Sequence, residues 1–153
     1  MARLARLSAA GFGLGYAKLA PGTVASAAAV VVGGLLLAWH PAALWGATAL
    51  ACVGGWWAVA RAERAGEVTG DPGWVVADEL AGQGIALLAL PRPGWVGLLA
   101  AFALFRLLDI TKPGPIGWAD RQGGAAGIMA DDLIAGAIAA LILLAAQAAG
   151  VAL

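Results

Sequence analysis

Residues 128–149 read IMADDLIAGAIAALILLAAQAA. Beyond Asp131-Asp132 the stretch carries no charge as far as Ala149, and spanning the hydrocarbon of a bilayer takes ~20 such residues in a helix. It reads as a membrane helix with two carboxylates in its opening turns. The apolar run decides the fold, and the acids set the question of function.

The rest of the chain agrees. Of 153 residues, 62% are hydrophobic and 12% charged, and the mean hydropathy is +0.88. A soluble domain carries about 25% charged residues, so half that fraction cannot coat a soluble globule. This excludes a disordered chain, a nucleic-acid binder and an ordinary cytosolic enzyme. Nine basic residues balance nine acidic ones. The single cysteine, Cys52, excludes an internal disulfide framework and a multi-cysteine zinc site. The expected fold is an all-α, polytopic integral membrane bundle of about five membrane or re-entrant helices, forming one domain over residues 1–153.

Four further segments precede residues 128–149: Val24–Trp39, Ala42–Ala60, Trp74–Leu90 and Gly94–Leu108. His40-Pro41, Pro91-Arg92-Pro93 and Pro113 with Pro115 separate them, because proline breaks a helix and restrains the residue before it. A cleaved leader is a competing reading of the start, but Gly11, Gly13, Gly15 and Pro21-Gly22 interrupt the apolar stretch it needs. With the N-terminus inside, Arg3, Arg6, Lys18, Arg61, Arg64, Arg106, Lys112 and Arg121 fall inside and only Arg92 outside, as the positive-inside rule requires. Trp39, Trp45 and Trp95 then mark the outer boundary, and Trp56, Trp57, Trp74 and Trp118 the inner one.

The same topology gathers the acids. Asp78-Glu79, Asp109, Asp120 and Asp131-Asp132 all fall near the inner surface, leaving Glu63, Glu67 and Asp71 in the second inner loop. A carboxylate at membrane depth costs about 2.5–3.5 kcal/mol at the bilayer centre on the mildest scale, and less near the interface. Acids at a helix N-terminus favour the macrodipole, which alone accounts for either pair taken singly. It does not account for Asp109 at a helix C-terminus. Arg106, Lys112 and Arg121 are the nearby cations, three against six, a deficit that suits one or two divalent ions. An all-oxygen set of Asp and Glu is what Mg²⁺ prefers. Pro21-Gly22-Thr23-Val24-Ala25-Ser26 places backbone N–H groups and two hydroxyls at a helix start, as an anion cradle or as a plain cap by Thr23.

Other chemistries lack their residues. His40, the only histidine, falls outside and far from the acids, and no dinucleotide or Walker motif is present. Clustered carboxylates, cations and an anion cradle at the membrane surface point to a metal-dependent enzyme acting on a phospholipid head group. An ion-binding or ion-conducting protein also keeps intramembrane acids, but conduction needs polar groups in both halves of the bilayer. A structural subunit with paired charges is the third reading.

The chain resembles the phosphatidylglycerophosphatase A family of bacterial membrane phosphatases. The resemblance rests on Gly11-Phe12-Gly13, Pro21-Gly22-Thr23, Val76-Ala77-Asp78-Glu79 with Gly82, Phe105-Arg106 through Asp109, Lys112-Pro113 and Pro115-Ile116, Trp118-Ala119-Asp120-Arg121, and Met129-Ala130-Asp131-Asp132 with Ala135-Gly136. It implies Mg²⁺-dependent hydrolysis of the phosphomonoester of phosphatidylglycerophosphate, on a phospholipid of the inner leaflet of the bacterial cytoplasmic membrane. It implies catalytic and metal-binding roles for Asp78, Glu79, Asp109, Asp131 and Asp132. Phosphate contacts fall to Thr23, Ser26, Arg106, Lys112, Asp120 and Arg121. Attack by water and by an aspartate both fit these residues. Ala25 stands where the family usually has a second glycine.

Overall fold

The structure is a computed structural model that describes residues 2–70 and 72–153; Asp71 lies outside the described residues. Seven α-helices and one 3₁₀ segment carry the fold, with no strand among the described residues. They are α1 (Ala2–Ala9), the 3₁₀ segment Gly11–Tyr16, α2 (Pro21–Trp39), α3 (Pro41–Arg64), α4 (Ala77–Leu87), α5 (Trp95–Thr111), α6 (Pro115–Asp120) and α7 (Gly124–Ala148). Three of them, α2, α3 and α7, are long and apolar enough to cross a membrane. The fold is a helical membrane bundle.

All five expected segments are helical, but their ends differ, and each shift has a cause. The segment expected from Val24 starts at Pro21, where proline serves as the first helical residue and Ala20, left-handed at φ 45°, holds the N-cap. Thr23 is therefore not the cap; it lies inside the first turn. The third segment shortens to the 11 residues of α4, about 16 Å at 1.5 Å per residue, too short to cross. The last helix begins at Gly124, before Ile128. Helices α1 and α6 fall in stretches too short and too charged to stand out in a hydropathy reading.

Short α4 is the centre of the bundle. It packs against α2, α3, α5 and α7, and eight of its 11 residues are buried. One apolar cluster on its flanks joins Leu87, Ala101, Phe105, Ala135 and Leu143; a second joins Ala58, Val59, Val75, Ala81 and Met129. Trp74–Leu90 reads as a membrane or re-entrant segment, and in the structure its helical part packs against protein, on α2, α3, α5 and α7. Small side chains make this possible. A Cβ added at Gly136 would strike the Gly82 carbonyl oxygen, and one at Gly82 would meet the Phe105 ring and the Asp132 carbonyl, so α4 and α7 touch backbone to backbone. Away from the acids, the Gln147 amide donates to the Ala89 carbonyl at 3.0 Å and ties α7 to the end of α4. Trp39, Trp45 and Trp95 are exposed at that end of the chain's hairpins, as interface anchors are.

The close approach of α4 and α7 has a measurable consequence. Gly136→Val should lower the thermal midpoint in detergent, by overpacking that costs about 1–3 kcal/mol. Gly54→Ala, whose Cβ meets nothing within 4 Å, should stay within about 0.5 kcal/mol of the parent. Equal midpoints for the two variants would contradict the packing.

Candidate active site

The first turn of α4 supplies Asp78 and Glu79, where the N-terminal end of the macrodipole favours negative charge. The Glu79 N–H donates to Asp78 Oδ1 at 3.1 Å, which fixes one carboxylate against its neighbour's backbone. Asp131 and Asp132 are different. They are the eighth and ninth residues of α7, two turns inside it, where the dipole's effect has faded. Both are buried, Asp132 to 3% exposure. The macrodipole, adequate for the α4 pair, does not explain the α7 pair.

Backbone contact between Gly82 and α7 brings Asp132 against the α4 pair. Oxygens of Asp78, Glu79 and Asp132 lie within 4.8 Å of one another. Two of the buried oxygens, Glu79 Oε2 and Asp132 Oδ1, have no hydrogen-bond partner. Three convergent carboxylates, with an unpartnered oxygen on Glu79 and another on Asp132, form an all-oxygen donor set that fits a hard divalent cation.

Two cations hold the rest. Arg106 on α5 pairs through Nη1 with Asp109, one turn along, and lies 3.9 Å from Glu79 Oε1; its buried Nε has no partner. Asp109 also neighbours Asp132. Lys112 ends α5 in a left-handed conformation, φ 45°, that non-glycine residues seldom adopt, and Pro113 prevents the helix from continuing. Its ammonium donates to Asp120 at the end of α6 and to Asp131 Oδ2 at 2.7 Å. The second oxygen of Asp131 accepts the Asp132 N–H at 2.9 Å. The α7 pair thus divides: Asp131 faces Lys112, and Asp132 faces Asp78 and Glu79.

The anion cradle meets this cluster at one edge. A Cβ at Gly22 would collide with Glu79 Oε1 and come within 3.2 Å of Arg106 Nη1, so only glycine lets the first turn of α2 approach. Thr23 is half-buried in that turn. Ser26 is fully buried, and its hydroxyl donates to the Gly22 carbonyl at 2.8 Å, inside its own helix. Arg121 is exposed and makes no ion pair among the described residues. The compensation is therefore two cations against six acids, one fewer than the sequence implied. Glu63 serves the fold instead, accepting the Ala125 N–H at 3.1 Å at the start of α7.

Gln83 was not anticipated. It is fully buried one turn beyond Glu79, and neither amide atom has a partner. Its signal in the sequence is being the one uncharged polar side chain between Glu79 and Trp95. His40 caps α3, accepting the Ala42 N–H at Nδ1, and takes no part in the cluster.

The comparisons with known proteins point one way. The family model described as Phosphatidylglycerophosphatase A matches residues 7–147. The chain is 40% identical over 140 residues to the Escherichia coli K12 protein named Phosphatidylglycerophosphatase A, covering 90% of this chain and 80% of that one. It is 38% identical over 143 residues to the Haemophilus influenzae protein of the same name, covering 92% and 87%. A Bacteroides thetaiotaomicron protein, provisionally named phosphatidylinositol-3-phosphatase, is 38% identical over 146 residues, covering 90% and 89%. No solved structure matches.

The Lys112 pairing can be tested by pH. Partial burial opposes its charge, but hydrogen bonds and attraction from Asp120 and Asp131 outweigh this and raise its pKa above the ordinary lysine value. A raised folded-state pKa gives stabilisation that is complete below the unfolded value, about 10.4. It is lost only as pH climbs through the folded value. The difference in thermal midpoint between the parent and Lys112→Gln should stay constant from about pH 7 to pH 10 and shrink above that. A difference already gone by pH 9 would contradict the pairing.

Proposed function

The chain belongs to the phosphatidylglycerophosphatase A family, and from that membership we propose that it hydrolyses the terminal phosphomonoester of phosphatidylglycerophosphate. Water and the ester give phosphatidylglycerol and inorganic phosphate. The observation that carries the reading is the group of Asp78, Glu79 and Asp132 with Arg106 and Lys112 beside it. Residues 1–153 act as one membrane-embedded phosphatase domain in a bacterial cytoplasmic membrane, with the site on the cytoplasmic side. The eight-to-one distribution of basic residues supports that orientation.

Mg²⁺ fits the donor set: Asp78, Glu79 and Asp132 would hold it, with Asp109 and Asp131 adjoining. When bound, it neutralises charge on the phosphoryl group in transfer. The chain's own groups do the remainder. Arg106, fixed through Nη1 on Asp109, has Nε free to donate to a phosphate oxygen. Lys112, held between Asp120 and Asp131, keeps a fixed positive charge beside the site. The first turn of α2, with Thr23 and Ser26, turns helix N–H groups toward the anion. Arg121, exposed at the end of α6, attracts the head group from the aqueous side. As the P–O bond to the lipid breaks, its oxygen leaves as an alcohol and takes a proton. The cluster holds no histidine, so proton transfer falls to the carboxylates.

The buried charged residues among those described, Asp78, Asp131 and Asp132, lie on α4 and α7, which favours one localised site over a conduction path.

Phosphate release from phosphatidylglycerophosphate by purified protein in detergent tests the proposal. Release should require a divalent cation and stop with a chelator. Asp132→Asn and Asp131→Asn should each lower kcat by about 10²–10³, the scale of losing one charge-stabilising group, while keeping the parent's helical circular dichroism. Phosphatidylinositol 3-phosphate, run in parallel, should turn over more slowly. Full activity in Asp132→Asn, or faster release from the inositol lipid, would overturn the assignment.

A further inference from the structure

Between α2 and α3, above the face of α4 turned away from α7, lies a groove of about 810 Å³. Val32 and Leu36 line one wall, Ala51 and Gly54 the other, and Ala77 and Leu80 the floor. Gly11 and Phe12, both with positive φ, form the rim at the charged end. Both walls belong to helices apolar and long enough to cross a membrane.

We infer that this groove seats one acyl chain of the lipid whose phosphate the acidic site takes; the inference rests on the lipid-phosphatase reading. Continuity with that site is the first argument. Ala77 and Leu80 line the groove, and Asp78 and Glu79 stand between them in the same turn of α4. A lipid with its phosphate at Glu79 thus has the groove mouth within one helical turn.

Dimensions are the second argument. On α3 the lining runs from Leu44 to Trp57, about 20 Å at 1.5 Å per residue, whereas one leaflet's hydrocarbon is about 15 Å deep. The groove holds about 810 Å³ along that length. A single flexible hydrocarbon chain can follow a groove of that length over the depth of one leaflet. The lining is mainly apolar, with Ser8 and Thr48 as its hydroxyl side chains.

Gly54 is the place to test it. Its Cβ would meet nothing within 4 Å and Gly54 lines the groove, so Gly54→Leu puts a side chain into that space, and leucine is the better helix former. The probe is phosphatidylglycerophosphate with a diazirine midway along one acyl chain, added to the purified full chain in phosphatidylcholine nanodiscs. Label should fall on residues 28–36 and 44–57, be displaced by unlabelled lipid, and be lost in Gly54→Leu. The preference of Gly54→Leu for a dipalmitoyl over a dibutanoyl substrate should fall about tenfold relative to the parent.

Label spread evenly over all lipid-facing helices and not displaced, label confined to α5 and α7, or an unchanged chain-length preference would overturn the groove assignment. In each of these cases the parent still releases phosphate. Displaceable labelling of the groove with no phosphate release from either lipid would sink the activity reading and leave the groove standing.

Discussion

Carboxylates inside an apolar helix bundle must be matched by positive charge, and the structure is organised around that requirement. Asp131 and Asp132 lie two turns within a helix apolar enough to cross a membrane, beyond the reach of its dipole. Each has its own answer. Asp131 meets the ammonium of Lys112, and Asp132 turns toward two further carboxylates and keeps an unpartnered oxygen. Grouping like charges opposes folding, since neighbouring carboxylates repel. A bound cation would relieve that repulsion, which is the basis of the proposed metal site. Such a cation is what a phosphate-processing site uses.

Packing is what makes the grouping possible. Gly82 and Gly136 let α4 and α7 touch along their backbones, and Gly22 lets α2 approach Glu79 and Arg106. Close helix approaches at these three glycines thus set the distances among the acids. The helix bearing Asp78 and Glu79 is too short to cross a bilayer, so its first turn is held at a fixed depth by the four helices around it. The opposite face of α4 forms the floor of the apolar groove. One short helix therefore carries the charged site and adjoins the greasy one, as a substrate with a phosphate head and hydrocarbon tails demands.

Much of this was legible in the sequence. Apolar runs and prolines gave the five helical segments, and the bias of Arg and Lys, with the acids, gave one charged end. What was not legible has physical causes. Hydropathy cannot separate a helix buried in protein from one bathed in lipid, so α4 was read as longer than it is. Proline at the first helical position moved the start of α2 and left Thr23 inside the first turn rather than at the cap. Glycines at 123–124 allowed α7 to begin early, which set Asp131 and Asp132 deeper than a terminal pair. The left-handed backbone of Lys112 has no local signature, yet it sets the ammonium between Asp120 and Asp131. Arg121 belongs to the right motif, but its position at the end of α6 leaves it exposed.

The central claim is that Asp78, Glu79 and Asp132 together form a divalent-cation site. Thermal unfolding of the detergent-purified protein over a series of Mg²⁺ concentrations tests it without reference to activity. A ligand bound only by the folded state raises the midpoint with concentration. The account predicts such a rise for the parent and a flat response for the Glu79→Gln/Asp132→Asn double variant. A parent indifferent to Mg²⁺, or a double variant that responds equally, would contradict it.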